Sequence, residues 1–151
     1  MNREIGAAPA PRYNAAPMSQ ARPPLATVRE VMTPNPVTIA VDARAEDALR
    51  VMDEVGCRHL PVMEGDRMVG LLTKKDVSCN CSMLRRVAEL MSREIHTATP
   101  EETIDVAAAT MAVSKVDCLP VVENGSLVGI LTTYDVLDLV CRRFRADPSA
   151  G

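Results

Sequence analysis

The chain carries the same segment of about fifty residues twice. Residues 28–77 align with residues 87–136 without a gap, at a constant offset of 59 residues. Because a unit of this length is too small to bury its apolar face alone, two copies predict one compact module with pseudo-twofold symmetry. A symmetric pair also forms a cleft at its seam, where ligands tend to bind. The repeated residues include Glu30/Glu89, Met32/Met91, Thr38/Thr97, Ala48/Ala107, Met52/Met111, Leu60-Pro61-Val62/Leu119-Pro120-Val121, Val69-Gly70/Val128-Gly129, Leu72-Thr73/Leu131-Thr132 and Asp76-Val77/Asp135-Val136.

Composition narrows the classes of function. With 151 residues and 47% apolar content, the chain is long enough for one domain with a core. Its net charge of −3 gives no overall attraction to nucleic acid or to an anionic membrane. Nucleic-acid binding stays an alternative only through a small basic C-terminus at Arg142, Arg143 and Arg145. No apolar run approaches the ~18 residues of a membrane span, so we expect no membrane partner.

The five cysteines indicate reduced thiols. Their odd number and the lack of CxxC spacing disfavour a disulfide framework and predict a cytoplasmic location. Cys79 and Cys81 lie two residues apart, so on a helix they point to different sides. Since neither histidine is near them in sequence, we predict no metal site.

Four segments follow from the sequence pattern. Residues 1–25 are rich in alanine and proline and are predicted to be a disordered tail, with a proline-rich docking motif as the alternative. Residues 26–83 and 84–142 are the two repeats, and residues 143–151 are a C-terminal tail.

The residue pattern of each repeat predicts secondary-structure elements in the order β-α-β-β-α. We therefore expect a fold of the α/β (α+β) class. Thr27 and Glu30 form a capping box for a short leading helix, which Pro34 and Pro36 end, and a strand follows near 37–39. Apolar residues at helical spacing predict a helix over 45–55 and its counterpart after Thr103. Arg44 occupies the capping position of the first, which leaves Asp42 as the candidate cap.

The second half of each repeat predicts a hairpin followed by a helix. The Asn124-Gly125 pair is a strong two-residue turn signal. The runs 68–72 and 127–131 do not alternate, so both faces of those strands should be covered. Their glycines would let another backbone or a ligand approach closely. The last helix carries an apolar stripe of Val136, Val140 and Phe144, with Leu137 and Cys141 beside it.

Thr-x-x-Asp occurs where each of these strands meets its helix, at Thr73/Asp76 and Thr132/Asp135. A helix N-terminus offers unpaired N–H groups to a phosphate, and a carboxylate there can accept from two vicinal ribose hydroxyls. Such charge-assisted bonds contribute about 1.5–3 kcal/mol each. The same residues also form capping boxes, which need no ligand.

Together these motifs resemble the cystathionine-β-synthase (CBS) domain pair, or Bateman module. The resemblance rests on E-x-M-[TS], L-P-V and V-G-hydrophobic-L-T-x-x-D-V occurring twice in register. The last motif reads Val69-Gly70-Leu71-Leu72-Thr73-Lys74-Lys75-Asp76-Val77 and Val128-Gly129-Ile130-Leu131-Thr132-Thr133-Tyr134-Asp135-Val136. The resemblance covers residues 28–139 and implies a regulatory module that binds an adenosine compound between its repeats. AMP, ADP, ATP, NAD and S-adenosylmethionine are the candidates, with AMP or ATP favoured, and the resemblance also implies a homodimer.

The resemblance implies further ligand contacts in each repeat. They fall on Thr38, Ile39, Arg58, His59, Pro61, Thr73, Lys75 and Asp76 in the first copy, and on Thr97, Ala98, Cys118, Pro120, Thr132 and Asp135 in the second. The copies differ in charge, because Asp117 replaces Arg58 and Tyr134 replaces Lys75. We therefore expect the Thr73/Asp76 corner to favour a phosphorylated ligand, while the other corner takes an uncharged adenosine moiety or stays empty.

Besides nucleic-acid binding, three functional classes come into question: a sensor, a ligand-free interaction module and an enzyme. The leading interpretation is a sensor that acts on an unidentified partner in trans. The alternative is a ligand-free module for dimerisation or protein interaction. No nucleophile–base pair, metal cluster or phosphate-binding glycine loop points to an enzyme. His59 is interpreted as a half-buried, hydrogen-bonded residue, with a role as a pH-sensitive phosphate ligand as the alternative.

Overall fold

A computed structural model of the chain describes residues 25–79 and 84–146. They form a mixed α/β structure with two three-stranded sheets, which confirms the predicted fold class. The predicted N-terminal tail lies outside the described residues except for Leu25. The elements in chain order are α1 (Val28–Val31), β1 (Thr33–Pro34), β2 (Ile39–Ala40), α2 (Ala45–Val55), β3 (His59–Glu64), β4 (Arg67–Thr73), α3 (Lys74–Cys79), α4 (Val87–Leu90), α5 (Ile104–Ser114), β5 (Cys118–Glu123), β6 (Ser126–Thr132) and α6 (Thr133–Ala146).

The helix predicted over 45–55 is confirmed as α2. Ala45, Ala48 and Met52 recur at helical spacing and are buried, which fixes the face that packs on the sheet. The helix ends at Gly56, whose φ of 75° is a left-handed conformation that glycine adopts without a steric penalty. The strand expected near 37–39 starts later, because main-chain pairing with β3 begins at Ile39.

The start of α2 differs from the expectation that Asp42 caps it. The cap residue is Arg44, which makes no side-chain capping bond. Instead, the N–H of Ala45 donates to the carbonyl oxygen of Arg85, 2.9 Å away in the segment that leads the second repeat. In the other half, the N–H of Ile104 donates to the carbonyl oxygen of Ala26 at 2.9 Å. Each long helix therefore begins on main chain supplied by the leading segment of the other repeat.

The leading segments are exchanged between the repeats at the sheets as well. β1 pairs antiparallel with β6, with Thr33 opposite Ile130. In the other half, Leu71 and Ser92 exchange two main-chain hydrogen bonds of 3.0 and 2.9 Å. Each leading segment thus lies at the edge of the sheet of the repeat that does not contain it.

The two hydrophobic cores follow this exchange. Val87 and Met91, from the second repeat, lie in the core built around Met52 and Leu60. Val28, from the first repeat, lies in the core of the second repeat. Neither repeat holds a complete core of its own, so the pair is the folding unit. Boundaries at residues 26–83 and 84–142 stay a prediction from sequence.

The second hairpin forms as predicted. Asn124 and Gly125 have φ values of 51° and 79°, which is the geometry of a type I′ turn. In the first hairpin Gly65 has a φ of 59°. Both hairpins contain a register shift, between Val62 and Met63 and between Val121 and Val122.

Gly70 and Gly129 lie where the exchanged segments cross the sheets. A Cβ atom on Gly70 would lie 2.9 Å from Cγ of Met91 and 3.1 Å from the carbonyl oxygen of Ser92. A Cβ atom on Gly129 would lie 3.1 Å from Cγ of Met32. The close approach that the sequence predicted is therefore made by the other repeat.

We expect Gly70→Ala to lower the free energy of unfolding by about 1–3 kcal/mol, because the new methyl group overlaps Met91. Urea titration followed by circular dichroism measures this loss. The control is a double-mutant cycle with Met91→Ala, in which the added cost of Gly70→Ala should shrink. Additive losses would show that the methionine is not the obstacle.

Candidate functional site

Both Thr-x-x-Asp corners form the capping boxes that the sequence allowed. The Oδ2 atom of Asp76 accepts from the N–H of Thr73 at 2.8 Å and from its hydroxyl at 2.7 Å. Asp135 accepts from the N–H and hydroxyl of Thr132, both at 2.7 Å. Because these bonds use Oδ2, the Oδ1 atom of Asp135 can still accept hydrogen bonds from a ligand.

A cavity of about 550 Å³ opens between the two repeats at the Thr132/Asp135 corner. The cavity is lined by residues from the loop after β1, from the segment between α2 and β3, and from the junction of β6 with α6. Its lining residues are Thr33, Asn35, Pro36, Val37, Val55, Gly56, Cys57, Arg58, His59, Asp117, Ile130, Thr132, Thr133, Tyr134 and Asp135. Thr73 and Asp76 are not among them.

Main-chain hydrogen bonds fix the residues that precede β3 and β5. The N–H of Thr133 at the start of α6 donates to the carbonyl oxygen of Asp117 at 3.0 Å. The N–H of Lys74 at the start of α3 donates to the carbonyl oxygen of Arg58 at 2.8 Å. The main chain of Arg58 therefore contacts the residue that follows Thr73 at the Thr73/Asp76 corner. Arg58 also lines the cavity at the Thr132/Asp135 corner.

One polar contact crosses the seam inside the cavity. Nε2 of His59 lies 3.0 Å from Oδ1 of Asp117. The histidine side chain is 11% exposed, whereas the aspartate is 71% exposed. An ionised carboxylate only accepts, so His59 carries a proton on Nε2. The hydrogen bond agrees with the interpretation of His59 as a half-buried, hydrogen-bonded residue, although the side chain is more deeply buried than that. His59 also lies in the cavity wall.

The cavity combines an apolar wall with charged groups. Val37, Val55 and Ile130 supply apolar surface, while Arg58 and Asp135 supply opposite charges. Its volume falls within the range of about 300–1,000 Å³ found for small-molecule sites. Such a wall suits a flat base, a carboxylate suits vicinal hydroxyls, and a guanidinium suits a phosphate.

The Thr73/Asp76 corner has different neighbours. At the positions that match Val37 and Val55 by the repeat offset, the second copy carries His96 and Ser114. Nδ1 of His96 lies 3.4 Å from the hydroxyl oxygen of Ser114, so these polar side chains meet where the first copy presents two valines. At the same corner, Nζ of Lys74 lies 2.6 Å from Oδ1 of Asp53.

The structure brings four of the fourteen predicted ligand residues into the cavity: Arg58, His59, Thr132 and Asp135. Of the others, Thr38, Lys75 and Thr97 are exposed, and Ile39, Thr73 and Asp76 are half-buried. Pro61, Ala98, Cys118 and Pro120 are buried, so only their main chain could face a ligand. The assignment of these residues to a ligand stays a prediction.

The cavity also takes in residues that the sequence analysis did not select. Asn35 has a φ of 46°, a left-handed conformation that asparagine tolerates better than most residues. Tyr134 is 75% exposed and is one of only two tyrosines in the chain. Because aromatic residues are rare in this chain, Tyr134 could have been selected from the sequence as a candidate site residue. In the loop after β1, Thr38 was selected but does not line the cavity. Asn35, Pro36 and Val37 do line it and carried no signal, because only the exchange brings this loop to α6.

The thiols near the site differ in environment. Cys118 is buried in β5, and burial together with the charges of Asp117 and Asp135 raises the pKa of its thiol to about 12. Cys57 lines the cavity, and partial burial raises its pKa as well. Both are therefore neutral thiols near pH 7, which disfavours a nucleophilic role.

Within residues 25–79 and 84–146, no group of three or more His, Cys, Asp or Glu side chains could hold a metal ion. The Cys79/Cys81 pair falls at and beyond the edge of the first of these ranges. In the same part of the chain, no helix is long and apolar enough to cross a membrane.

Comparison with known proteins decides the family. The family model of the CBS domain matches residues 28–78 and again residues 87–142. The chain belongs to the CBS domain family. The resemblance drawn from the repeated motifs is thereby confirmed, and the two matches coincide with the two copies.

Three relatives show the range of proteins that are similar to this CBS pair. An inosine-5'-monophosphate dehydrogenase of Korarchaeum cryptofilum is 39% identical over 103 residues, covering 66% of this chain and 21% of that protein. The CBS domain-containing protein YhcV of Bacillus subtilis is 26% identical, covering 74% of this chain and 84% of YhcV. The solved structure of CBSX2 in complex with AMP is 25% identical with a TM-score of 0.70, covering 79% of this chain and 98% of that one.

This chain spans only about a fifth to a quarter of the curated relatives that carry enzyme names, such as the dehydrogenase. The matched part is the CBS pair.

We expect the buried thiol of Cys118 to make stability depend on alkaline pH. Its folded pKa of about 12 lies above the ordinary thiol value of 9.0. Stability is therefore fully present below about pH 9 and is lost between about pH 9 and 12, by up to about 1.4 kcal/mol per pH unit. Urea unfolding of the wild type and of Cys118→Ala across this range measures the difference. Identical pH slopes for both proteins would contradict the assignment.

Proposed function

We propose that this CBS pair is a regulatory sensor that binds an adenosine-containing ligand between its repeats and acts on a partner protein in trans. The observation that supports it is the cavity of about 550 Å³, which is lined by Asp135 at the N-terminus of α6, by the apolar wall and by Arg58. In this proposal Asp135 accepts from the ribose hydroxyls, Val37 and Ile130 contact the base, and Arg58 faces the phosphate. By sequence the charge of Arg58 was expected at the Thr73/Asp76 corner, whereas Arg58 lines this cavity.

Family and chemistry support the same ligand class. CBSX2, a relative of similar fold, was solved with AMP. The Thr73/Asp76 corner, with Lys75 exposed beside it, is proposed as a second site that favours a phosphorylated ligand. The relative affinities of this chain for AMP, ADP, ATP, NAD and S-adenosylmethionine decide which of them is its ligand.

We further propose a non-catalytic role, a homodimer and a cytoplasmic location. The free thiols Cys57, Cys118 and Cys141 are consistent with a reducing compartment. The second candidate function is a ligand-free interaction module. It is favoured by the capping bonds of Asp76 and Asp135, which satisfy one oxygen of each carboxylate without a ligand.

Thermal unfolding separates the two functions. A ligand that binds only the folded chain raises the melting temperature with its concentration. We therefore expect millimolar AMP, ADP, ATP, NAD or S-adenosylmethionine to raise it, with adenine-free ribose 5-phosphate as the control. An unchanged melting temperature with all five would leave the interaction module as the better description.

Replacing each corner aspartate tests the proposed sites. Asp135→Ala should weaken the binding of adenosine and AMP by roughly 10- to 150-fold, the loss expected from one charge-assisted hydrogen-bond acceptor. Asp76→Ala should weaken AMP more strongly than Asp135→Ala does, and it should weaken AMP more than adenosine. The two variants control for each other, because each removes one capping box of the same geometry. Isothermal titration calorimetry gives the affinities, and equal losses of AMP affinity would refute the asymmetry.

A further inference from the structure

A second cavity, of about 230 Å³, lies between α5 and α6, and we call it the α5–α6 groove. Its volume is below the range of about 300–1,000 Å³ found for small-molecule sites. Most of its wall is apolar, and the main contributors are Leu25, Ala26, Ala108, Val136, Leu139 and Val140. Leu25 and Val140 are still 38% and 42% exposed, so the described residues leave apolar surface of this groove in solvent.

The chain enters the described region at this groove. Thr27 and Thr103 form an antiparallel bridge just before α5 begins. Two residues earlier, Leu25 lies in the groove wall. Because the two segments are antiparallel, the chain before Leu25 points in the direction that the chain takes after Thr103, which is along α5. Residues 1–24 therefore join the described structure at the end of the groove and on its axis.

The seven residues before Leu25 are long enough to follow the groove. The eleven residues of α5 span about 17 Å at 1.5 Å per residue. Seven residues reach at most about 23–25 Å. Residues 18–24 can therefore extend past the whole of α5 without any contribution from residues 1–17.

The composition of this segment suits the groove. A chain that enters an apolar groove loses water from its N–H groups, which costs free energy unless acceptors replace the water. Pro23 and Pro24 directly precede Leu25 and carry no N–H group. Further from Leu25, Ala21 and Met18 supply apolar side chains. The residues nearest the groove are thus those that lose least on entering it.

The side of α5 that faces the groove is built from small residues. Ala108 lines the groove, and Ala112 lies one turn further on the same side of the helix. At the matching positions of α2, by the repeat offset, the first repeat carries Leu49 and Asp53. Small side chains let another segment approach a helix closely, so α5 can accept a neighbour at positions where α2 carries larger or charged groups.

We propose that residues 18–24 of the same chain occupy the α5–α6 groove. Pro23 and Pro24 lie next to Leu25, and Ala21 and Met18 lie further along α5. The predicted disordered tail is then limited to residues 1–17. A partner protein that binds the groove has to displace residues 18–24, so the segment competes with such a partner. Occupation of the groove does not depend on an adenosine ligand.

Nuclear Overhauser contacts in the full chain test the proposal directly. With methyl-labelled methionine, alanine and valine, we expect contacts from Met18 or Ala21 to the methyl groups of Ala108 or Val140. A mixture of labelled and unlabelled chains separates contacts within one chain from contacts between chains. Contacts that occur only between chains would show that a second copy supplies the segment and would overturn the assignment. The absence of any such contact would overturn the proposal itself.

Two neighbouring substitutions on α5 provide a matched comparison. Ala108→Glu places a charged side chain in the groove and should abolish these contacts. Ala109→Glu is the control, because Ala109 is exposed and does not line the groove. Circular dichroism verifies that both variants fold. Should Ala108→Glu fail to fold, Val140→Asp makes the same test from α6. Equal effects of the groove variant and of Ala109→Glu would contradict the proposal.

Limited proteolysis measures how strongly the segment is held. Thermolysin cleaves before apolar residues, and its rate at Met18 and Ala21 follows the fraction of chains in which the segment is released. We expect cleavage there to be about 10-fold faster in Ala108→Glu than in wild type, which corresponds to a groove that is about nine-tenths occupied. Ala109→Glu should match wild type. Equal rates in all three proteins would overturn the proposal.

Discussion

The reciprocal exchange of leading segments holds this structure together. Val28 and Val87 are fully buried, each in the core that belongs mainly to the other repeat. Burying a valine contributes about 1.5–3 kcal/mol, and here each contribution depends on both repeats being folded. Gly70 and Gly129 allow this exchange, because a side chain at either position would occupy the space of a methionine from the other repeat. The exchange also carries the loop after β1 to the start of α6, and the cavity exists only where these meet.

The two repeats share the same backbone arrangement but carry different charges at equivalent positions. Arg58 and Asp117 occupy equivalent positions, and each accepts through its main chain from the first N–H of the following helix. Their side chains differ in sign, and His59 contacts Asp117 across the seam. The corners also differ in their neighbours, because one opens into a cavity with an apolar wall, while at the other His96 contacts Ser114. The two corners therefore differ in both shape and chemistry.

Local signals in the sequence were sufficient for most of the secondary structure. The spacing of apolar residues gave α2 its observed bounds, and Asn124-Gly125 gave the second turn. The Thr-x-x-Asp pairs gave the starts of α3 and α6, since a capping box is decided by four consecutive residues. Signals of this kind succeed because they depend on short stretches of chain.

The amino-acid sequence by itself determined the duplication, the family and the chemistry of the two corners, because these are carried by residue types at fixed spacing. Only the tertiary structure decided which corner opens into a cavity and which residues from the other repeat complete it. Asn35, Val55 and Tyr134 are distant in sequence, and no local pattern relates them. They come together because apolar surface is buried by whichever segment packs against it, and here that segment belongs to the other repeat.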